Sequence, residues 1–196
     1  TLFSASMISD VLPRIWERDA GEGRMRLEQL RKLTKGALAE MRALLLELRP
    51  AALGEVDLAD LLKQLAEAHA GRSGAEVELS LRAECSCKLP PAVRLAFYRI
   101  AQESLSNVVK HSRATHVAVS LNCEERRHAD GCRISASLIV RDDGVGFDVT
   151  SVSAEHMGLR IMTERAADVG ADVTVKSEPG KGTCTELTWS GPAWEG

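Results

Sequence analysis

The chain has 196 residues, 44% of them apolar and 27% charged, with a formal net charge of −3 and a pI near 6.0. At about 150 residues per domain, that length allows one domain, or one domain plus a smaller element; the composition is too apolar for a disordered chain. The acidic balance argues against non-specific nucleic-acid binding, no run of ~18 apolar residues is present to span a membrane, and the first residues lack the pattern of a signal peptide. Aromatic residues make up 4%, so the core is expected to be built from Leu, Val, Ile and Ala.

Residues 1–50 carry a charge of +2 and the remainder −5. In the first segment Phe3, Met7, Val11 and Ile15 recur at helical spacing, with Pro13 inside the helix they predict, where it should kink or weaken it. Asp19-Ala20-Gly21-Glu22-Gly23 reads as a break. A second helix follows, with Leu27, Leu30, Leu33, Ala37, Met41, Leu44, Leu45 and Leu48 on one stripe and Pro50 as its stop. A short connector between two such helices predicts an antiparallel hairpin. Alone, a hairpin cannot bury two apolar stripes well. It either packs on the rest of the chain or pairs with a second copy into a four-helix bundle, and the complete patterning of the remainder favours the second.

Residues 51–56 read as a linker. Asp57 caps a predicted helix ending near Gly71, and Glu76 to Leu81 alternate as a strand. Cys85-Ser86-Cys87 is the closest-spaced pair among five cysteines; with no second pair or spaced histidines, structural or surface thiols are expected rather than a metal site. Leu89-Pro90-Pro91 opens a long helix running to about Ser112. Then come a strand (His116–Asn122), a polar loop (Glu124–Gly131) and a strand (Ile134–Arg141). After the Gly-rich segment Asp142–Asp148 the chain reads as a helix near Gly158–Val169, a strand (Ala171–Lys176), a turn (Glu178–Gly182) and a last strand (Thr183–Trp189). Hairpin-paired strands with helices between them predict an α+β fold, a mixed sheet covered on one face by helices. His69 reads as a surface residue near a helix end, Trp16 and Trp189 as packing residues, and residues 191–196 as a tail.

Four elements carry chemistry. On the long helix Glu103, Asn107, Lys110 and His111 fall at i, i+4, i+7 and i+8, on one strip beside the apolar face. A carboxylate, an amide, an ammonium and an imidazole together can hold a hydrated magnesium ion and a polyphosphate, although taken alone the strip reads more readily as a solvated helix face, where Glu and Lys are common. Asp142-Asp143-Gly144-Val145-Gly146-Phe147-Asp148 follows a strand. Its glycines permit close approach to a ligand, and a carboxylate there can accept from an exocyclic amine. It is neither a dinucleotide fingerprint nor a P-loop. His156-Met157-Gly158-Leu159-Arg160-Ile161-Met162 opens a helix whose positive end can face phosphate. Gly180-Lys181-Gly182-Thr183 by itself reads as a turn.

Taken together, E-x-x-x-N-x-x-K-H, D-x-G-x-G-F, G-L-x-x-M and G-K-G-T resemble the N, G1 and G2 boxes and the final glycine turn of the GHKL ATPases, which include gyrase, mismatch-repair ATPases and bacterial sensor histidine kinases. The phrase FYRIAQESLSNVVKHSRAT is most similar to the nitrate-sensor-like histidine kinases, and residues 1–50 resemble the latter part of their dimerisation hairpin. The resemblance implies a GHKL ATP-binding catalytic domain over residues 57–190. Asp142 would bind the adenine amino group with Thr183 nearby. Asn107 would ligate magnesium and Glu103 would sit in its shell or polarise the attacking group. Lys110 and His111 would contact phosphate oxygens, and Gly144 and Gly146 would let the loop approach the nucleotide. Gly158 and Leu159 would close a lid, here short because only ten residues separate Phe147 from Gly158; Gly180 and Gly182 form the final turn. The implied cofactors are ATP and Mg. The implied partners are a second copy through residues 1–50 and a response regulator with helix-turn-helix output. No direct nucleic-acid or membrane contact is implied, and the location is cytoplasmic, with sensor domains upstream that can be membrane-anchored.

The family phosphorylates a histidine on the first hairpin helix, yet the first histidine here is His69. Thr1 falls inside what looks like that helix, so the acceptor is expected just upstream; the alternative is a kinase-like protein without one. Two other functional classes compete: a GHKL serine kinase of anti-sigma type, against which the hairpin argues, and a degenerate scaffold, against which the retained Glu103, Asn107, Asp142, Gly144 and Gly146 argue.

Overall fold

The computed structural model describes residues 2–48, 57–83, 88–128, 131–149 and 157–194. The expected linker 51–56, the Cys85–Cys87 pair, Pro50 and His156 lie outside the described residues.

Helix α1 (Leu2–Arg18) runs through Pro13 without interruption, and α2 spans Ala20–Leu48. Between them only Asp19 is non-helical. Its carboxylate accepts from the Gly21 and Glu22 N–H groups at 2.8 and 3.1 Å, capping α2. The expected break thus falls at Asp19, the first residue of the Asp19–Gly23 segment, while the two glycines lie in the first turns of α2. Gly23 serves the fold-back instead, since a Cβ there would stand 3.1 Å from the Trp16 Cα. Met7 and Val11 on α1, and Met25, Leu27, Leu38 and Met41 on α2, remain exposed, although α2 also packs along α3.

Helix α3 (Leu58–Ser73) is capped by Asp57, which accepts from the Ala59 N–H at 2.8 Å, and ends at left-handed Gly74 rather than near Gly71. Leu58, Leu61, Leu62 and Leu65 form its buried stripe. His69 on the same helix is buried, not at the surface: it falls one turn after Leu65 and so continues the inward face. Strand β1 is Glu76–Arg82, and α4 is Pro91–Asn107, continued by a π-helical turn over Val108–Ser112. The remaining elements are β2 (His116–His128), β3 (Gly131–Asp142), α5 (Met157–Ala167), β4 (Asp172–Ser177) and β5 (Thr183–Pro192).

The five strands form one mixed sheet in the order β1-β2-β3-β5-β4, with β1 parallel to β2 and the other pairs antiparallel. Val117, Val119 and Leu121, with Ala136, Leu138, Val140 and Leu187, present the buried face to Phe97, Ile100, Ala101 and Leu105 of α4 and to the leucines of α3. The expected α+β architecture, with helices over one face of a mixed sheet, is what the chain forms.

Two segments differ from the sequence reading. The expected loop Glu124–Gly131 is mostly strand, with Glu124 to His128 paired to Ser135 to Gly131. That ribbon is largely exposed at its β2 end, so it lacks the polar–apolar alternation that marks a half-buried strand. It is pinned from the side by the Lys88–Glu125 ion pair, and within the ribbon the Cys132 thiol donates to Glu125. At the other limit, β5 extends through Gly191 and Pro192, which pair with Ile134 and Arg133, so the first residues of the expected tail belong to the sheet. Trp189 is buried with its indole N–H on the Val169 carbonyl, and the Trp194 backbone N–H donates to Lys88.

Candidate functional site

A cavity of about 540 Å³ opens between α4, the loop after β3, the start of α5 and strands β4 and β5. Glu103, Asn107, Lys110 and His111 all line it. The first two belong to α4, the others to the π-helical turn, which the sequence did not reveal. A wider turn is a feature often found at functional sites. Ser112 ends this turn: its hydroxyl donates to the Val108 carbonyl at 2.9 Å and accepts from the Ala114 N–H, while its carbonyl accepts from the Val145 N–H at 2.8 Å. The helix end and the glycine-rich loop are thereby joined.

Asp142, Gly146, Gly158, Leu159 and Thr183 also line the cavity. Gly144, Gly180 and Gly182 do not; they lie behind it and shape the loops. Gly144 packs on the Ser112 carbonyl, and Gly180 donates its N–H to the Val145 carbonyl. Gly146 and Gly182 have positive φ values of 57° and 73°, and a Cβ on them would lie 2.1 Å from the Glu178 carbonyl and 2.0 Å from the Asp142 carbonyl. Only glycine lets the loop and the turn interlock at this spacing.

The two neighbouring carboxyls are shifted in opposite directions. Asp142 is 7% exposed and accepts from the Gly144 N–H at 2.9 Å. Burial pushes its carboxyl above the ordinary range, opposed by the backbone donors Gly144 and Thr183. Asp143 points the other way. It accepts from the backbone N–H groups of His116 and Thr115 and from the Thr115 hydroxyl, and these bonds hold its carboxyl well below the usual range. Asp143 fixes the loop, leaving Asp142 facing the cavity.

Val145, Phe147 and Met162, which the motifs contain without a role of their own, supply apolar wall together with Val140 and Val175, and Ser104 and Thr185, which no motif contains, add hydroxyls. Thr185 and Val175 sit in strand alternation, where a cavity-lining residue looks like a core one. Among the described residues no group of three His, Cys, Asp or Glu side chains is placed to hold a metal ion. Glu103 and Asn107, two oxygen donors one helical turn apart, do fit a hard cation that keeps most of its waters.

Comparison with known proteins points to one family. The family described as histidine kinase-, DNA gyrase B- and HSP90-like ATPase matches residues 92–192, and one described as histidine kinase matches residues 1–53. Among curated relatives, the sensor histidine kinase LiaS of Bacillus subtilis is 34% identical over 187 residues, covering 95% of this chain and 49% of its own. The histidine-protein kinase/phosphatase DegS of Brevibacillus brevis is 28% identical, covering 89% of this chain and 43% of its own. The chain thus spans less than half the length of these relatives. The histidine kinase domain of a blue-light-activated kinase from Erythrobacter litoralis shares the fold, with a TM-score of 0.56 at 16% identity, covering 93% of this chain and 94% of that one. No helix among the described residues is long and apolar enough to cross a membrane. By these matches the chain belongs to the histidine kinase-, DNA gyrase B- and HSP90-like ATPase family, and within it to the histidine kinases, with an ATP-binding domain behind a histidine kinase helical segment.

Proposed function

We propose that residues 57–190 bind Mg-ATP and present its γ-phosphoryl group to a histidine imidazole, for relay to an aspartate of a response regulator with helix-turn-helix output. The observation that carries this reading is the single cavity onto which Glu103, Asn107, Lys110, His111, Asp142 and Thr183 converge from four separate elements. Asp142 and Thr183 recognise the adenine amino group, with Val145, Met162 and Val175 as apolar wall. Lys110 and His111 bind phosphate oxygens, and Gly158 and Leu159 place the start of α5 against the same end of the ligand. Glu103 and Asn107 are the residues that would hold magnesium, which supplies neutralisation of phosphate charge when bound. In such a transfer positioning and charge neutralisation dominate the barrier, and the protein has little covalent chemistry to perform.

Residues 1–50 are the dimerising part. The exposed Met7, Val11, Met25, Leu27, Leu38 and Met41 support pairing with a second copy of the hairpin. No histidine precedes His69, so residues 1–196 alone are expected to bind ATP without phosphorylating themselves. Acid-labile phosphohistidine on this chain after incubation with labelled ATP would refute that. The first test is calorimetric titration with ADP and a non-hydrolysable ATP analogue, with and without magnesium, beside Asp142→Ala. Saturable binding that depends on Asp142 and strengthens with magnesium supports the reading. Flat heats on a folded protein count against it and in favour of a scaffold.

A further inference from the structure

Ser177 is a hydroxyl that the reading above does not use. Asp142, Thr183 and Ser177 form a row across three neighbouring strands: Asp142 is the cross-strand partner of Thr183 in the β3–β5 pair, and Ser177 its partner in the β4–β5 pair. Directly opposed residues of antiparallel strands share a face of the sheet. Asp142 and Thr183 line the cavity and Ser177 stands behind them.

The proton count around Ser177 is closed. The Phe147 N–H donates to Ser177 Oγ at 2.9 Å, Ser177 Oγ donates to the Gly182 carbonyl at 2.9 Å, and Ser177 Oγ lies 3.0 Å from Thr183 Oγ1. A serine hydroxyl has one proton, and a carbonyl can only accept. With that proton on Gly182, the contact between the two hydroxyls needs Thr183 as donor. In that arrangement the Thr183 proton points toward Ser177, away from the cavity, and the lone pairs of its Oγ1 remain for a ligand. The ionised Asp142 beside it is also an acceptor.

We propose that Ser177 is a positioning residue for base specificity: by taking up the Thr183 proton it makes the wall formed by Asp142 and Thr183 acceptor-only, so that this wall accepts from the exocyclic amine of adenine and repels the carbonyl oxygen of guanine. The inference rests on the nucleotide reading of the cavity. Sites that match buried acceptors to a substrate N–H discriminate strongly, because the wrong partner leaves those groups unpaired. Removing the Ser177 hydroxyl frees the Thr183 O–H to rotate and donate to a carbonyl.

The test measures ADP and GDP affinity by calorimetry on the whole 196-residue chain, with melting curves to confirm folding. Wild type is expected to prefer ADP. Ser177→Ala should narrow the ADP-to-GDP ratio by about fivefold or more, and Ser177→Thr, which keeps the hydroxyl, should restore it. Thr183→Val should narrow the ratio as well, and adding Ser177→Ala to it should narrow it no further. A ratio unchanged in Ser177→Ala, with both nucleotides weakened alike, would overturn the inference and leave Ser177 as a tie between loop and turn. So would a full ratio in Thr183→Val, which also carries the comparison should Ser177→Ala melt below the assay temperature. A folded wild type that binds neither nucleotide overturns the nucleotide reading, and this inference with it.

Discussion

Gly158 and Glu103 are in direct contact where α5 meets α4: a Cβ on Gly158 would lie 2.4 Å from Glu103 Oε1. The opposing atom is the far end of a flexible side chain, not backbone. An alanine at 158 is therefore accommodated by moving the Glu103 carboxylate rather than the helices. Gly158→Ala should leave the Tm within about 2 °C of wild type, since alanine is also the better helix former. The gain in ATP-analogue affinity on adding magnesium should shrink by about fivefold or more, because the carboxylate proposed to hold the ion is displaced. Calorimetry with and without magnesium reads this. A large loss of Tm with magnesium dependence intact would make Gly158 a packing residue instead.

Gly180 and Gly182 stand two residues apart in one turn with φ values of 80° and 73°, yet their surroundings differ. Nothing lies within 4 Å of a Cβ on Gly180, whereas one on Gly182 would lie 2.0 Å from the Asp142 carbonyl oxygen. Gly180→Ala should cost only the left-handed backbone penalty, about 1 kcal/mol. Gly182→Ala adds a backbone clash and should cost about 2 kcal/mol or more, lowering Tm by about 4–8 °C. Nucleotide binding should follow the same order, because the displaced carbonyl belongs to Asp142. Equal losses in the two variants would refute the argument.

These contrasts mark what was legible in the sequence. The stripe of α3, the core face of α4 and the strands β3 and β5 are each written in a period of three to four or of two, because each has one buried face. The Glu124–His128 extension was missed because its pairing partner, not burial of its side chains, makes it a strand. The π-helical turn at Val108–Ser112 leaves no mark in a residue pattern, yet it carries Lys110 and His111. Of the site, the charged strip and the glycine loops were visible as motifs. Ser177 and Thr185 were not, since a hydroxyl in a strand is read only from what stands opposite it. His69 was misplaced because a histidine near a helix end is usually solvated, while here it continues the stripe begun by Leu58.

Asp143 is the fastening of the loop, and its effect depends on pH with a definite sign. Hydrogen bonds from His116 and Thr115 depress its carboxyl in the folded state. A depressed carboxyl contributes stability that is present above the unfolded-state value and is lost as pH falls through the folded one. Asp143→Asn should therefore lower Tm at neutral pH and have progressively less effect in acid, converging on wild type once the native carboxylate is protonated. Melting curves across an acidic pH series test this; a difference that does not shrink in acid would show that the loop is held by something other than the charge.

Asp142 has the reverse sign. Burial raises its carboxyl in the folded state, and the Gly144 and Thr183 donors only partly offset that. The folded protein therefore holds the proton more tightly than the unfolded chain, and stability falls as pH rises from the unfolded-state value through the folded one. Above that window the ionised carboxylate is a standing cost of the fold. On the proposed function its return is in binding, where an ionised acceptor would meet the amino group of the base. Asp142→Asn keeps the shape and an oxygen to accept from Gly144 but removes the charge. At neutral pH the variant should melt no lower than wild type while its ADP affinity falls by about tenfold or more. In wild type, ADP affinity should decline on acidification at a higher pH than an ordinary carboxylate would give, and this decline should be absent in the variant. A variant that melts well below wild type at neutral pH would show that the charge is part of the fold, and the division of labour between Asp142 and Asp143 would fail.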